Sequence, residues 1–449
     1  MSKSKVYWFG SRGPISYVNK GQTLLEEAKL NECFKKGDRV AIKIHCGEWN
    51  NTGYLRPSIV AGIVEKVKEH GGDPFVTDTT TVFYSAVATR TTAEDAHRTA
   101  ARNGFTEATL GCPFVIADGD VGVDDVKVEV NGNILKYTYV AAAIANADAL
   151  IVLTHFKGHG QGVYGGAIKN VGIGCASKGG KIATHLMTHP ELGARAYGFH
   201  PEKCTGKECP LYSRCVENCP TGAFQVLDNR PYAHKDSKKC IGCGACWYRL
   251  GCGVITYPPG IEIYSPAAMA ESAMGTLKIL GKERVGFINY AIDICPWCDC
   301  VSHTDTWMLP NIGVFASKDM VAVDKACLDE ADKVPAIPGS RAFDEGLLDK
   351  PWLAGHEHFT YISAAPRYPE VSQWIQVNAG AKIGLGSPDY ELIEATPRPR
   401  DEYVMPDLRE HTAAFRMRKK IRNQSPEPDP DSYQKSIRIT VEELIKKPR

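Results

Sequence analysis

The feature that most constrains this chain is a block of eight cysteines between residues 204 and 252. They form two groups: Cys204, Cys209, Cys215 and Cys219, followed by Cys240, Cys243, Cys246 and Cys252. The second group begins with a Cys-x2-Cys-x2-Cys run, which places three thiolates on one tight loop, where each can reach a different iron of a [4Fe-4S] cluster. In proteins with two such clusters, the fourth thiolate comes from the other group. We therefore predict two [4Fe-4S] clusters, one on Cys240, Cys243, Cys246 and Cys219 and the other on Cys204, Cys209, Cys215 and Cys252.

The same block resembles a bacterial two-[4Fe-4S] ferredoxin domain in its segments KCTG, ENCPTGA and KCIGCGAC. The first group departs from that pattern, because gaps of four and five residues stand where two are usual, and five residues separate Cys246 from Cys252. Zinc is the alternative, but it prefers two paired Cys-x2-Cys hooks, which interleaved runs fit poorly. The spacing therefore favours iron–sulfur ligation and leaves the type of the Cys204 cluster open.

The composition is that of a soluble globular protein: 43% of the 449 residues are hydrophobic and 23% are charged. A net charge of +1 argues against a nucleic-acid or membrane-surface role. We expect no secretory signal, because the N-terminus lacks an apolar segment, and no apolar run reaches the length of a membrane span. Sixteen cysteines without an export signal predict a reducing, cytoplasmic location, and exposed clusters predict anaerobic metabolism.

Strand and helix patterns alternate along the chain, which predicts an α/β domain with a mainly parallel sheet. The predicted strands are residues 39–45, 74–77, 114–117, 149–154, 284–292 and 312–316, with a hairpin over 129–139. The predicted helices are residues 58–70, 91–103, 138–146 and 320–332. The cysteine block interrupts this alternation, so we predict an α/β domain in two parts (1–199 and 260–396), an inserted ferredoxin-like α+β domain (200–259) and a polar, extended C-terminal tail (397–449).

A glycine- and lysine-rich stretch directly follows the strand predicted at 149–154, and it contains His155, Lys157, His159 and Lys169. Ligands of open α/β sheets bind outside the carboxyl ends of the strands. Residues 160–165 fit G-x-G-x-x-G, but no acidic residue follows at the distance that a nicotinamide site needs, so we reject that site. Dense glycines let backbone amides approach an anion, and the two lysines add charge. The histidines are candidates for proton transfer or metal binding.

Three further cysteines, Cys295, Cys298 and Cys300, follow the strand predicted at 284–292. Three soft ligands within six residues predict either a third iron–sulfur cluster or a mononuclear metal site. The alternative is that some of them are small buried apolar residues.

A smaller group lies at the carboxyl end of the first strong strand, where His45, Cys46 and Glu48 occur. Arg56 and the loop at 78–81 are expected at the same edge of the sheet. Cys46 and Cys175 are candidate extra ligands, although single cysteines are usually inert packing residues.

Several segments together resemble the DUF362 family of iron–sulfur centre proteins. They are GDRVAIKIHCGE, YLRP, THFKGHGQGVYGGAIKNVGIGCASKGGK, the Cys-Asp-Cys element at 298–300 and GLGSPDYELIE. The resemblance runs from about residue 5 to residue 396. It implies iron–sulfur binding, redox chemistry and an anaerobic setting, and it names no substrate.

These features together predict an iron–sulfur oxidoreductase that passes electrons through the two clusters to or from a site in the α/β domain. Lys157 and Lys169 would hold a small anionic substrate, a histidine would carry protons, and a ferredoxin or flavoprotein would be the redox partner. Two alternatives remain: a non-redox lyase or hydratase with an open iron at Cys295, Cys298 and Cys300, and an electron-carrying accessory subunit. The sequence predicts no nucleic-acid or membrane partner and leaves the oligomeric state open.

Overall fold

The structure is a computed structural model that describes residues 3–82, 84, 88–189, 199–209, 214–226, 233–236, 238–243, 245–246, 253–254, 261–344, 355, 357–362, 370–395 and 413–424. The chain divides into two units, Met1–Thr396 and Pro397–Arg449. Within the described ranges, no helix is both long and apolar enough to cross a membrane.

The strands of the described residues follow in chain order. They are β1 (Ser4–Gly10), β2 (Arg39–Lys43), β3 (Asp73–Asp78), β4 (Phe114–Ile116), β5 (Asp125–Glu129), β6 (Tyr137–Ala141), β7 (Ala149–His155), β8 (Lys157–His159), β9 (Val163–Gly165), β10 (Phe224–Val226), β11 (Ala233–Lys235), β12 (Val285–Ala291), β13 (Gly313–Ser317) and β14 (Tyr390–Glu394).

The helices of the first unit are α1 (Tyr17–Glu27), α2 (Pro57–Glu69), α3 (Ala93–Arg102), α4 (Glu107–Leu110), α5 (Ala142–Ala145), α6 (Ala167–Gly172), α7 (Lys178–Thr184), α8 (Arg214–Glu217), α9 (Ile261–Leu280), α10 (Met320–Asp332), α11 (Arg341–Asp344), α12 (His358–Ile362) and α13 (Ile375–Lys382). Short 3-10 helices span Leu30–Cys33, Pro201–Lys203, Gly206–Glu208 and Lys282–Arg284. The second unit contains α14 (Ala413–Arg416) and α15 (Arg418–Gln424).

Eight strands form the central sheet in the order β14-β1-β13-β12-β7-β2-β3-β4. Five of the seven pairings are parallel, and the two antiparallel ones both involve β13. The prediction of a mainly parallel α/β sheet is therefore confirmed.

Helices cover both faces of this sheet, because successive side chains of a strand point to opposite faces. On β2, Val40 and Ile42 join the apolar cluster that contains helices α1 and α2, whereas Ala41 joins the cluster of helices α6, α9 and α10. Strand β7 is buried along its whole length, as expected for a parallel strand covered on both faces.

Most of the predicted elements agree with the structure within a few residues, and one is wrong. The helix predicted over 138–146 is a strand up to Ala141 and a helix only from Ala142 to Ala145. Residues 138–140 are Thr-Tyr-Val, which favour a pleated strand, and they pair antiparallel with β5. The predicted hairpin therefore exists, but its strands begin earlier and end later than expected.

The described parts of the cysteine block contain the antiparallel pair β10 and β11 and the short helix α8. Phe224, Cys215 and Val254 form a small apolar cluster of their own there. The ferredoxin-like fold of residues 200–259 remains a prediction, and Cys252 lies outside the described residues.

Candidate active site

A cavity of about 430 Å³ lies at the carboxyl edge of the central sheet. Strands β12, β7, β2 and β3 are mutually parallel, so the loops that follow them meet at one edge. These loops bring together residues far apart in the chain. The polar lining includes His45, Asp78, Thr79, Arg90, His155, Lys157, His159, Lys169, Lys181, His185, Cys298 and Cys300.

The β8–β9 hairpin packs tightly against the loop that follows β12. The backbone N–H of Gly158 donates to the carbonyl of Cys295 at 2.9 Å. A Cβ atom at position 158 would lie 2.3 Å from the carbonyl oxygen of Pro296, so only glycine permits this approach. The contact places Lys157 and His159 opposite the Cys298–Cys300 segment.

Asp299 is fully buried and binds two of the predicted site residues. Lys157 Nζ lies 2.8 Å from its carboxylate, and His155 Nδ1 lies 3.0 Å away. Burial alone would raise the pKa of Asp299, but the Lys157 ammonium and His155 outweigh it and hold this pKa well below its usual range. The second ring nitrogen of His155, Nε2, lies 3.0 Å from the carbonyl oxygen of Ile292. Both ring nitrogens of His155 therefore face oxygen acceptors of the protein.

A second buried charge network surrounds Asp78 at the end of β3. Lys43 Nζ lies 3.0 Å from one carboxylate oxygen, and Arg90 lies 3.4 Å from the other. Arg90 also pairs with Glu48 at 3.3 Å. Burial would raise the pKa of Asp78, but Lys43, His45 and Arg90 hold it well below its ordinary value. The four side chains of these ion pairs are buried, and Asp78 and Arg90 form part of the cavity lining.

Two other lysines reach the cavity with no carboxylate of the described residues at ion-pair distance. Lys169 Nζ lies 3.7 Å from Cys298 Sγ, and Lys181 Nζ donates to Thr79 Oγ1 at 2.9 Å. Their side chains are buried, with 8% and 4% of the residue surface exposed. Burial lowers the pKa of Lys181 to about 8. A buried ammonium without a carboxylate favours an incoming anion.

The sulfur atoms of Cys298 and Cys300 and a ring nitrogen of His159 lie within 4.8 Å of one another, a group that could hold a metal ion. His159 Nε2 is 3.8 Å from Cys300 Sγ, and the N–H of Cys300 donates to Cys298 Sγ at 3.3 Å. Burial would raise the pKa of Cys298, but the Cys300 thiol, Lys169 and His159 lower it well below its usual value. The Cys300 thiol that donates to Cys298 has a raised pKa.

The structure does not bring the other predicted residues into this group. Cys295 Sγ lies 2.9 Å from the carbonyl of Trp297, and burial raises the pKa of its thiol to about 12. Cys46 and Cys175 are fully buried and do not line the cavity. Arg56 pairs instead with Asp293 at 2.6 Å.

The described cysteines of the block fall into two electrostatic groups. Besides burial, the charges of Cys243, Cys240 and Cys219 raise the pKa of Cys246. The charges of Cys204 and Cys209 raise the pKa of Cys215 in the same way. Among the described members, no three bring their sulfur atoms within 4.8 Å of one another.

The Cys240 group lies against one wall of the cavity. The backbone N–H of Tyr84 donates to the Cys243 sulfur, and the Tyr84 ring lies 4.3 Å from Lys178 Nζ. Lys178 in turn donates to the carbonyl of Thr81, which lines the cavity.

A second contact joins the same parts of the chain. A side chain added at Gly242 would lie 3.2 Å from the carbonyl oxygen of Met187, another residue of the lining. Gly242, the neighbour of Cys243, thus lies against a residue of the cavity lining.

Sequence reasoning missed several residues of this site, notably Asp299, Arg90 and Lys181. Asp299 lies between two cysteines that are candidate metal ligands, and its role depends on distant partners, including His155, which is 144 residues away. The one local signal for Lys181 is the run of lysines and glycines at 178–181.

Comparison with known proteins gives a family but no curated relative. Residues 40–329 match the family described as Domain of unknown function (DUF362). No curated protein matches the sequence significantly.

Two solved structures show limited similarity to the chain. One is the lactate racemase apoprotein from Thermoanaerobacterium thermosaccharolyticum, with 13% identity, a TM-score of 0.38 and coverage of 90% of this chain and 85% of that chain. The other is a Thermotoga maritima protein solved by the Northeast Structural Genomics Consortium, with 9% identity, a TM-score of 0.31 and coverage of 62% and 51%. These TM-scores are too low to transfer a function.

Proposed function

The chain belongs to the DUF362 family, and from this premise and the site geometry we propose that it is an iron–sulfur oxidoreductase acting on an anionic substrate. The observation that carries the proposal is the contact between the Cys240 group and the cavity wall. Cys243 meets Tyr84 through a backbone hydrogen bond, and Tyr84 packs on Lys178 beside the lining. Short separations of this kind are what electron transfer between two sites requires.

The donor set of the block fits two iron–sulfur clusters. Cys219, Cys240, Cys243 and Cys246 would hold one, and Cys204, Cys209 and Cys215 would hold the other with Cys252. Bound clusters of this class supply or accept single electrons at low potential. The backbone N–H groups of Tyr84 and Phe224 donate to Cys243 and Cys219, and donors of this kind stabilise thiolate ligands.

The cavity supports the choice of an anionic substrate. Lys169 and Lys181 present ammonium groups with no carboxylate of the described residues at ion-pair distance, and they contact the Cys298 sulfur and the Thr79 hydroxyl. His185 buries its Nδ1 atom with no hydrogen-bond partner among the described residues, and a buried polar atom of this kind is satisfied by a bound ligand. The ion pair with Asp299 holds the Lys157 ammonium in place, so we assign Lys157 a positioning role. Lys169 and Lys181 would bind the substrate.

The proposed redox partner and cellular location follow from the properties of iron–sulfur clusters. Single-electron carriers need a one-electron partner, so we propose a ferredoxin or flavoprotein as the redox partner. Reduced clusters near the surface react with oxygen, so we propose cytoplasmic, anaerobic metabolism.

The test is oxygen-free purification followed by iron and sulfide analysis and electron paramagnetic resonance of the reduced protein. We expect about eight irons per chain, because two four-iron clusters are proposed. The variant Cys243→Ala should lose about four of them, whereas Cys112→Ala, which removes a buried cysteine outside the block, should lose none. Colourless protein, or protein that contains only zinc, would overturn the proposal.

A second candidate function is favoured by the spacing of His159, Cys298 and Cys300. A single metal ion there would act as a Lewis acid on the substrate without redox change. One additional metal equivalent per chain, lost in Cys300→Ser and retained in Cys295→Ser, would support this candidate.

A further inference from the structure

We infer that Cys298 and Cys300 form a reversible dithiol–disulfide couple that lines the cavity and exchanges electron pairs with the bound substrate. This inference rests on the proposed function for its source of electrons. It assigns the terminal redox group of the site to two side chains of the protein.

The two sulfur atoms are close and accessible to a substrate. Both belong to the group whose ligand atoms lie within 4.8 Å of one another, and both residues line the cavity. Residues two apart have Cα atoms at most about 7 Å apart, a limit that overlaps the Cα separations of disulfides, about 4.4–6.8 Å. Rotation about the Cα–Cβ bonds is the movement that the proposed S–S bond requires.

The surroundings of the sulfurs are hydrogen-bond donors. Lys169 Nζ lies 3.7 Å from Cys298 Sγ, and the N–H of Cys300 lies 3.3 Å from the same atom. Donors stabilise a thiolate, and the thiolate is the species that attacks or leaves in thiol–disulfide exchange.

With no metal ion bound, the ring of His159 is oriented as a donor toward the sulfurs. The backbone N–H groups of Gly162 and Gln161 donate to its Nδ1 atom at 2.6 and 3.2 Å. The lone pair of the neutral ring is therefore on Nδ1, and the proton is on Nε2. Nε2 faces Cys300 Sγ at 3.8 Å. A metal ion on Nε2 would require the other tautomer, so the dithiol couple and the metal site of the second candidate function are alternatives.

Cys295 takes no part in this couple, although it is close in sequence. Its sulfur contacts the carbonyl of Trp297 and does not join the group of ligand atoms. The couple is therefore restricted to one pair of cysteines, which is a specific prediction for mass spectrometry.

The proposed step balances in atoms and electrons. In reduction, the Cys298–Cys300 disulfide bond breaks, two electrons enter, and one proton from water in the cavity is added to Cys300 Sγ, which leaves a Cys298 thiolate. The two electrons come one at a time from two one-electron carriers of the iron–sulfur class. In the reverse direction the S–S bond forms, Cys300 Sγ releases its proton, and the electron pair passes to a two-electron-accepting group of the bound anionic substrate, which also takes up the proton. Two clusters that each carry one electron together supply the two electrons that one disulfide bond requires.

The test is thiol trapping of the full-length protein after equilibration in anaerobic mixtures of oxidised and reduced dithiothreitol. Tryptic cleavage after Arg284 and Lys318 yields a peptide that contains all three cysteines. We expect Cys298 and Cys300 to be linked in oxidising mixtures and alkylated in reducing ones, with Cys295 alkylated in both after denaturation.

Serine variants test whether the disulfide involves only Cys298 and Cys300 and not the nearby Cys295. Cys298→Ser and Cys300→Ser should lose the linkage completely, and Cys295→Ser should keep it. If both cysteines of the wild-type protein stay alkylatable in every mixture, or if a metal ion is bound there that both serine variants lose, the inference is overturned.

Iron and sulfide are measured on the same samples. A disulfide in protein that contains no iron would refute the proposed function and leave the couple intact. Clusters without the disulfide would refute the couple alone.

Discussion

At the residue scale, the site depends on buried charges that compensate one another. Asp299 neutralises Lys157 and binds His155, and Asp78 neutralises Lys43 and Arg90. A buried charge is destabilising unless it is paired, because removing a single ion from water costs several kcal/mol. Lys169 and Lys181 have no carboxylate at ion-pair distance among the described residues and contact the Cys298 sulfur and the Thr79 hydroxyl, so we assign substrate binding to them.

Asp299→Asn should destabilise the protein by about 3–5 kcal/mol, because it leaves the Lys157 ammonium buried without a counter-ion. The free energy of unfolding in urea measures this effect. Glu94→Gln, which breaks an exposed ion pair with Arg98, should change it by less than about 0.5 kcal/mol. Equal effects of the two substitutions would contradict the view of Asp299 as a buried counter-ion.

Lys169→Met should slow the alkylation of Cys298 in the reduced protein at pH values below neutral, where the thiolate fraction responds to a rise in its pKa. The Lys169 ammonium lowers the pKa of the Cys298 thiol, so its loss reduces the fraction of thiolate, the reactive form. Lys181→Met is the control, since Lys181 bonds to Thr79. The rate is followed by mass spectrometry of the peptide, and an unchanged rate in the Lys169 variant would disprove the contact.

At the scale of elements, the position of the β8–β9 hairpin is decided by backbone contact with the loop after β12. The hairpin carries Lys157 and His159, and the loop carries Asp299 and Cys300, so their packing aligns both halves of the site. Val163 of the hairpin has a φ of 68°, an unusual value for a β-branched residue, which is held by the packing of its buried side chain.

Two glycines of this hairpin should respond differently to alanine. Gly158→Ala would place Cβ 2.3 Å from the carbonyl oxygen of Pro296, whereas a Cβ at Gly160 has no neighbour closer than 4.0 Å. We expect Gly158→Ala to cost more than about 2 kcal/mol, as other overpacked sites do, and Gly160→Ala to stay within about 1 kcal/mol. Thermal unfolding of both variants is the measurement, and a tolerated alanine at 158 would show that the two segments separate easily.

At the scale of the whole molecule, burial of titratable groups makes stability depend on pH. Burial lowers the pKa of His45 and of His185 to about 3, whereas a histidine of the unfolded chain titrates near 6.5. Between these values the unfolded chain binds more protons, so the stabilisation is complete above about pH 6.5 and is lost as the pH falls toward 3. Asp324 acts in the opposite direction, since burial raises its pKa from 3.8 to about 6.

We expect each of the two histidines to reduce the free energy of unfolding by about 2 kcal/mol between pH 7 and pH 5. Urea unfolding at the two pH values measures the loss. In the variant His185→Gln the loss of unfolding free energy between the two pH values should be smaller by about 2 kcal/mol, because glutamine does not titrate. A variant with the same pH dependence as the wild-type protein would show that His185 is charged in the folded state.

Local patterns were enough to predict most of the scaffold. The strands β2, β3 and β7 and the helices α2 and α10 follow from apolar spacing and from nearby glycines and prolines, which act within a few residues. The exception at 138–141 is a segment whose pairing with β5 overrode its helical appearance. The assignment of Cys219 to the second cysteine group was also predicted from spacing, and it remains a prediction for the cluster itself.

The amino-acid pattern was enough to predict the α/β sheet, to propose iron–sulfur ligation by the cysteine block, and to identify the polar stretch after β7. It could not specify which side chains of distant loops would face one another. The folded chain turned Cys295 away, brought His159 to the two remaining sulfurs, and placed Asp299 between Lys157 and His155. These outcomes depend on the register of parallel strands and on the close approach at Gly158, and such long-range contacts leave no mark on local sequence periodicity.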